Sequence, residues 1–298
     1  MDSTSLLTDH YELTMLQAAL RSEKAHRHSV FEVFARRLSG GRRFAVMAGT
    51  GRVLDAIERF RFRPDQIEFL TCTGVVDAVT ADWLADFRFR GDVWGYPEGE
   101  LWFPGSPVLR VEGTFAEAVV LETLILSILN ADSAIATAAA RMTIAAGDRP
   151  CIEMGSRRTN EQAAVAAARA AWVAGFAATS NLEAGMKYQI PTVGTAAHSF
   201  TLLHDSEREA FEAQVAALGV GTTLLVDTYD TETGVATAIE VTGPGLGAVR
   251  LDSGDLGEVA KATRAQLDAA GNTDTKITVT SDLDEYAIAS LAIAPVDS

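Results

Sequence analysis

Cysteine is nearly absent. Only Cys72 and Cys151 occur in 298 residues, and they stand in unrelated contexts. A disulfide framework is therefore not expected, and a reducing, cytoplasmic location is. Clustered positive charge is missing too. Asp and Glu outnumber Lys and Arg by 40 to 25, the net charge is -15, and the densest basic pairs are Arg36-Arg37 and Arg42-Arg43. Nucleic-acid binding needs cations gathered on one face, so no such partner is expected. Long apolar runs are interrupted: residues 118–129 contain Glu122 and are followed by Asn130, so no membrane span is expected. Met1-Asp-Ser-Thr-Ser carries neither a basic nor an apolar leader segment, which argues against a signal peptide. Nor is there a Walker lysine, a Cys/His metal spacing or a serine-nucleophile elbow. Gly243-Pro-Gly-Leu-Gly247 follows no suitable strand and opens no helix, so it reads as a turn.

What is present is ordinary globular material, 48% hydrophobic and 22% charged, long enough for two domains. Residues 9–20 read as a helix that Thr8 or Asp9 can cap, with Leu13, Leu16 and Leu20 on one face. Ser29-Val-Phe-Glu-Val-Phe-Ala35 alternates as a strand should. Residues 49–60 and 81–87 read as helices. From 91 to 114, Gly and Pro punctuate aromatic and branched runs, which predicts a small antiparallel sheet. Residues 115–129 are apolar on most faces, hence a buried helix. This mixed α+β region is expected to end near residue 125, with a second domain over 126–298 and no flexible linker between them.

Downstream of Asp148 the pattern changes to short apolar runs separated by helical segments at 160–174, 206–218 and 256–270. Six such runs begin near Pro150, Gly175, Thr192, Thr223, Ala248 and Lys276. Strands separated by helices imply a parallel sheet, whose ligands bind where strands end. Six strands either close as an irregular barrel or form an open doubly wound sheet; the incomplete (β/α) barrel is the preferred reading.

Each run stops at polar residues: Arg157 and Arg158, Thr179 and Ser180, His198, Asp227, Asp252 to Asp255, and Ser281 with Asp282. A parallel fold gathers these ends on one rim. A lone histidine past a strand is most often a structural residue, and Asp or Ser there commonly cap the next helix. For Asp255 and Asp282 the capping role weighs as heavily as a ligand role. Around Asp252 the argument is stronger, because Asp252-Ser253-Gly254-Asp255 sets two carboxylates about a glycine, which suits a sugar diol or a hydrated Mg²⁺.

Six segments in order carry a resemblance over essentially the whole chain. They are Thr8-Asp-His-Tyr-Glu-Leu-Thr-Met15, Phe31-Glu-Val-Phe-Ala-Arg-Arg37, Gly155-Ser-Arg-Arg158, Gly175-Phe-Ala-Ala-Thr-Ser-Asn181, Gly194-Thr-Ala-Ala-His-Ser199 and Arg250-Leu-Asp-Ser-Gly-Asp255. Together they resemble the nicotinate phosphoribosyltransferases. The resemblance implies an α/β protein with an N-terminal α/β sandwich and an irregular barrel, working as a homodimer. It implies that nicotinate and phosphoribosyl pyrophosphate give nicotinate mononucleotide and pyrophosphate, with ATP hydrolysis and Mg²⁺, in NAD biosynthesis. By the same resemblance His198 is the histidine that ATP phosphorylates, and Asp227 and Asp252 are the acids around ribose, Mg²⁺ and phosphohistidine. Asp252 with Asp255 is the expected Mg²⁺ site. Arg157 or Arg250 pairs with the nicotinate carboxylate, and Tyr11 reaches the pyridine from the dimer partner. Ser253, Gly254 and Ser281 line the substrate.

Ser180 bears on selectivity: the nicotinamide-using relatives carry an aspartate there, which would repel a carboxylate, whereas Thr179-Ser180 favours nicotinate. Met154 stands where the family often has a ring-stacking phenylalanine; its sulfur can still contact the pyridine. A Gly-Val-Gly-Thr phosphate loop would follow Ser298 in the family, so the chain reads as truncated, with C-terminal strands missing and poor activity expected of it alone. Alternatives are a nicotinamide-using relative, another barrel enzyme acting on phosphorylated sugars, or a non-catalytic remnant that binds a ligand or partner.

Overall fold

A computed structural model describes residues 3–298. The chain divides into two compact units, Met1–Thr137 and Ala138–Ser298.

In the first unit the strands are β1 (His28–Val33), β2 (Ala45–Val46), β3 (Asp92–Gly95), β4 (Leu101–Trp102) and β5 (Leu109–Thr114). β5 lies between β1 and β3, antiparallel to both, with Phe31 opposite Val111 and Val93 opposite Val111. β2 and β4 form a separate antiparallel pair. β1 alternates between exposed and half-buried positions, as its sequence pattern requires. The helix His10–Arg21 buries Leu13 and Leu16 against this unit's core. Its first turn converges on Glu12, which is wholly buried. Glu12 accepts from the Thr8 hydroxyl, the Asp9 N–H at 3.3 Å and the Thr123 N–H at 2.7 Å, so one carboxylate satisfies the starts of two helices.

The second of those helices corrects the sequence reading. Asn130 does not end it; Glu122–Ala146 is one helix of 25 residues and, among the described residues, is long and apolar enough to cross a membrane by length and composition. Half of its most apolar window is buried inside the protein. Its polar side chains are spent on protein partners. Asp132 pairs with Arg52 at 2.6 Å, Ser133 accepts from Ala48 N–H at 3.2 Å, and Thr137 accepts from Val46 N–H at 3.0 Å. That is the pattern of a core helix. The division between the compact units falls within this helix, after Thr137, where the sequence reading puts it near residue 125.

In the second unit the strands are β6 (Ile152–Glu153), β7 (Ala178–Thr179), β8 (Thr223–Leu225), β9 (Ala248–Leu251) and β10 (Lys276–Val279). β6 pairs with β7, and β9 lies between β8 and β10; every pairing is parallel. The sixth expected strand shrinks to one parallel bridge, Thr179 to Thr192. Pro191 precedes it without an N–H to donate, which limits the ladder there. The result is two parallel arcs in chain order.

Helices follow the strands and are capped by side chains. Asn160, Ser206, Asp230, Asp255 and Asp284 each accept from backbone N–H groups of the helix they begin. Asp255 is thus a cap. Asp282 is not; Asp284 takes that place, and Asp282 pairs with Arg158 at 2.7 Å. The helices Pro64–Cys72, Leu182–Tyr188, His198–Leu203 and Glu285–Ser290 have no counterpart in the sequence reading, and neither does Thr231–Thr242, which contains Gly234. That glycine is where the helix meets β8: a Cβ there would lie 2.1 Å from the Val226 carbonyl oxygen. Gly257, in Leu256–Ala269, has only ordinary contacts, 3.5 Å and beyond. Gly234→Ala is therefore expected to cost about 3 kcal/mol. Gly257→Ala is expected to be neutral or to stabilise by up to about 1 kcal/mol. Denaturant titration of both variants checks this, and equal effects would refute it.

Candidate active site

The site is built where β8 and β9 end. Leu225 lies opposite Arg250, and the Val226 N–H donates to the Arg250 carbonyl at 3.3 Å, which brings Asp227 beside Asp252. The Asp227 side chain is only 2% exposed. Its Oδ2 accepts from the Asp252 N–H and from the Ser253 hydroxyl, both at 2.7 Å. Its Oδ1 is buried with no hydrogen-bond partner among the described residues and lies 3.9 Å from Nε2 of His198. Asp252 approaches the same nitrogen at 3.8 Å through Oδ2, while its Oδ1 accepts from the Thr280 hydroxyl.

His198 opens the helix His198–Leu203 with its side chain 39% exposed. Nδ1 is held by the Thr228 hydroxyl at 3.1 Å. Nε2 therefore faces two carboxylates at distances too long for hydrogen bonds. Nε2 thus has no hydrogen-bond partner among the described residues, on a ring whose other nitrogen is fixed.

Arg250 does not present a free fork. Its side chain is 12% exposed; Nη1 donates to the Thr195 hydroxyl and to the Ala196 carbonyl at 3.0 Å, and Nη2 lies 3.7 Å from Asp252. It braces the loop that delivers His198. Gly254 has a positive φ of 80°, a turn that a side chain would strain between Ser253 and Asp255.

A second group forms where β6 and β7 end. Thr179, buried, donates to Glu153 Oε2 at 2.6 Å, and the Ser180 N–H donates to the Glu153 carbonyl at 2.8 Å. Ser180 and Met154 are half-buried. Arg157 is exposed and has no partner among the described residues. Ser281 is exposed, its carbonyl accepting from Leu283 N–H at 2.9 Å. Tyr11 belongs to the first unit, exposed, its hydroxyl donating to Glu122 at 2.8 Å.

Glu207, Glu153, Thr228 and Thr280 were not singled out from sequence. Burial first, then the charges of Asp227 and Asp230, push the Glu207 carboxyl above its usual range. In sequence Glu207 reads only as an acid in a first helical turn, which the helix dipole favours anyway. The threonines follow Asp227 and Val279 directly, so position after a strand was their only signal.

The residues suggested for Mg²⁺ do not make a resident site. Asp255 is a helix cap, and no group of three or more His, Cys, Asp or Glu could hold a metal among the described residues. A cation that comes with substrate phosphates needs fewer protein ligands.

A parallel fold with polar strand ends around one histidine defines a barrel-type enzyme class, and comparison with known proteins narrows it. Residues 6–130 match the nicotinate phosphoribosyltransferase (NAPRTase) N-terminal domain. The chain is 61% identical to nicotinate phosphoribosyltransferase pncB1 of Mycobacterium tuberculosis over 305 residues, covering 100% of this chain and 68% of that protein. It is 38% identical to the nicotinate phosphoribosyltransferase of Bacillus subtilis, covering 97% of this chain and 60% of that protein. Among solved structures, human nicotinic acid phosphoribosyltransferase superposes with a TM-score of 0.83 at 29% identity, covering 97% of this chain and 71% of that one. Nicotinate-nucleotide pyrophosphorylase of Pyrococcus furiosus gives 0.83 at 26% identity, covering 98% and 69%. The chain belongs to the nicotinate phosphoribosyltransferase family.

Proposed function

We propose that this protein joins nicotinate to phosphoribosyl pyrophosphate, releasing pyrophosphate and forming nicotinate mononucleotide for NAD biosynthesis, with ATP turned over through a phosphohistidine at His198. The observation that carries the reading is His198 between Asp227 and Asp252, in a chain 61% identical to a protein named for this activity.

With Nδ1 carrying the proton toward Thr228, the lone pair of Nε2 is the nucleophile. The N–P bond forms as the bond from the γ-phosphorus to ADP breaks, and water later releases the phosphoryl as inorganic phosphate. Asp227, fixed by two donors, keeps its second oxygen toward the ring. Of the two candidate arginines, Arg157 has the unengaged fork, so it is the one we assign to the nicotinate carboxylate. Ser180 supplies a hydroxyl and no charge. Magnesium is proposed only as the companion of the pyrophosphate substrates. A homodimer in which Tyr11 serves the partner's site is part of the same proposal, as is a cytoplasmic location.

Pyrophosphate release that requires nicotinate tests the activity, with calorimetry for phosphoribosyl pyrophosphate in Mg²⁺ as the second readout. A chain that neither turns over nicotinate nor binds it would sink the reading. For selectivity, Ser180→Asp is expected to weaken nicotinate about tenfold or more, by setting like charges together, while nicotinamide binding holds or improves. Equal loss for both pyridines would refute the assignment of Ser180.

A further inference from the structure

Glu153 is the last residue of β6 and carries no catalytic signal in the sequence. Three of its oxygens nevertheless hold the neighbouring strand end and its own loop. Oε1 accepts from the Gly155 N–H, Oε2 from the Thr179 hydroxyl at 2.6 Å, and the main-chain carbonyl from the Ser180 N–H at 2.8 Å. The Thr179 hydroxyl in turn accepts from the Asn181 N–H at 3.0 Å, so its single proton is committed to Glu153. Asn181 then donates from Nδ2 to Ser156 at 3.0 Å, which returns the network to the loop where it began. Gly155 is part of the same fit. A Cβ there would come 2.9 Å from Oε1 of Glu153.

We infer that Glu153 is a positioning residue that sets Met154 and Arg157 against Ser180, and through them the site for the pyridine carboxylate; the inference rests on the function proposed above. The argument is one of acceptors. A backbone N–H and a buried threonine hydroxyl both need one, and no other side chain among the described residues serves both. Glutamine keeps one carboxamide oxygen for Gly155 and turns its NH₂ toward Thr179, which can accept but loses its own acceptor. Alanine abandons both donors. Two loops that carry opposite sides of one small ligand site would then move independently, at the expense of the ligand that bridges them and not of one bound elsewhere.

The test compares the 298-residue chain with Glu153→Ala, Glu153→Gln and Gly155→Ala, by calorimetry with nicotinate and, separately, phosphoribosyl pyrophosphate with Mg²⁺. Amide hydrogen exchange over residues 155–158 and 179–181 is measured on the same samples. Nicotinate is expected to weaken about tenfold in Glu153→Ala and by about threefold or less in Glu153→Gln, with phosphoribosyl pyrophosphate unchanged within about twofold. Exchange should quicken in both segments together, in Glu153→Ala most and in Gly155→Ala by the same pattern. Unchanged exchange in either segment overturns the inference, as does a proportional loss of both ligands, which a purely structural role would give. Should the unmodified chain bind no nicotinate, the function proposed above fails, and the exchange pattern alone then decides whether Glu153 positions these loops.

Discussion

His198→Ala is expected to abolish acid-labile phosphate transfer from ATP and to lower nicotinate turnover by roughly a hundredfold or more, the scale of losing a positioned catalytic side chain. The fold should survive. The imidazole is 39% exposed and its one hydrogen bond among the described residues, to half-buried Thr228, involves a hydroxyl that solvent can satisfy, so the stability change should stay within about 1 kcal/mol. Labelling with γ-phosphate-labelled ATP, followed by acid and alkali treatment, reads the first effect; denaturant unfolding reads the second. Labelling that persists in His198→Ala would remove histidine 198 from the role and leave its contacts with Asp227 and Asp252 as structural.

The second large effect is expected at Asp227, where the two obvious variants should part company. Asp227→Ala strips the acceptor from the Asp252 N–H and the Ser253 hydroxyl. Ser253 is exposed and its hydroxyl can turn to water, so the loss falls mainly on the half-buried Asp252 N–H and should cost about 1 kcal/mol, along with most of the activity. Asp227→Asn can keep its carbonyl oxygen on those two donors, so stability should hold within about 1 kcal/mol. Its NH₂ then replaces the oxygen that lies 3.9 Å from His198 Nε2, where it removes the negative charge and offers a proton to the nitrogen lone pair. Turnover should fall roughly a hundredfold with stability kept. An Asp227→Asn protein with unimpaired turnover would show that the charge beside the ring is idle.

Much of the architecture was legible because period and punctuation agree with tertiary packing in those places. The helix from His10 is announced by Asp9 and its leucine spacing; β1 is announced by alternation; β8, β9 and β10 are announced by branched apolar runs that stop at Asp227, Asp252 and Ser281. The misreadings have local causes. Asn130 looked like an end to the long helix, yet Asp132, Ser133 and Thr137 continue it because Arg52, Ala48 and Val46 answer their polar groups. Thr192 looked like a strand, but Pro191 leaves it a single bridge. The helix Thr231–Thr242 went unread, and its Gly234 is the residue that lets it touch the Val226 carbonyl.

The site divides in the same way. By itself the sequence determined which residue types stand past each strand, and six ordered segments were enough to place the chain among the nicotinate phosphoribosyltransferases. It could not assign partners, since His198, Asp227 and Asp252 are far apart in the chain and meet only through parallel pairing of β8 with β9 and the loop braced by Arg250. Tertiary structure decided that Asp255 caps a helix, that Arg250 is engaged while Arg157 is not, and that Glu153 and Glu207 belong to the neighbourhood of the site. The physical reason is range. Helix and strand patterns follow from neighbours a few residues apart, whereas a carboxylate's role depends on which donors the folded chain brings to each of its oxygens.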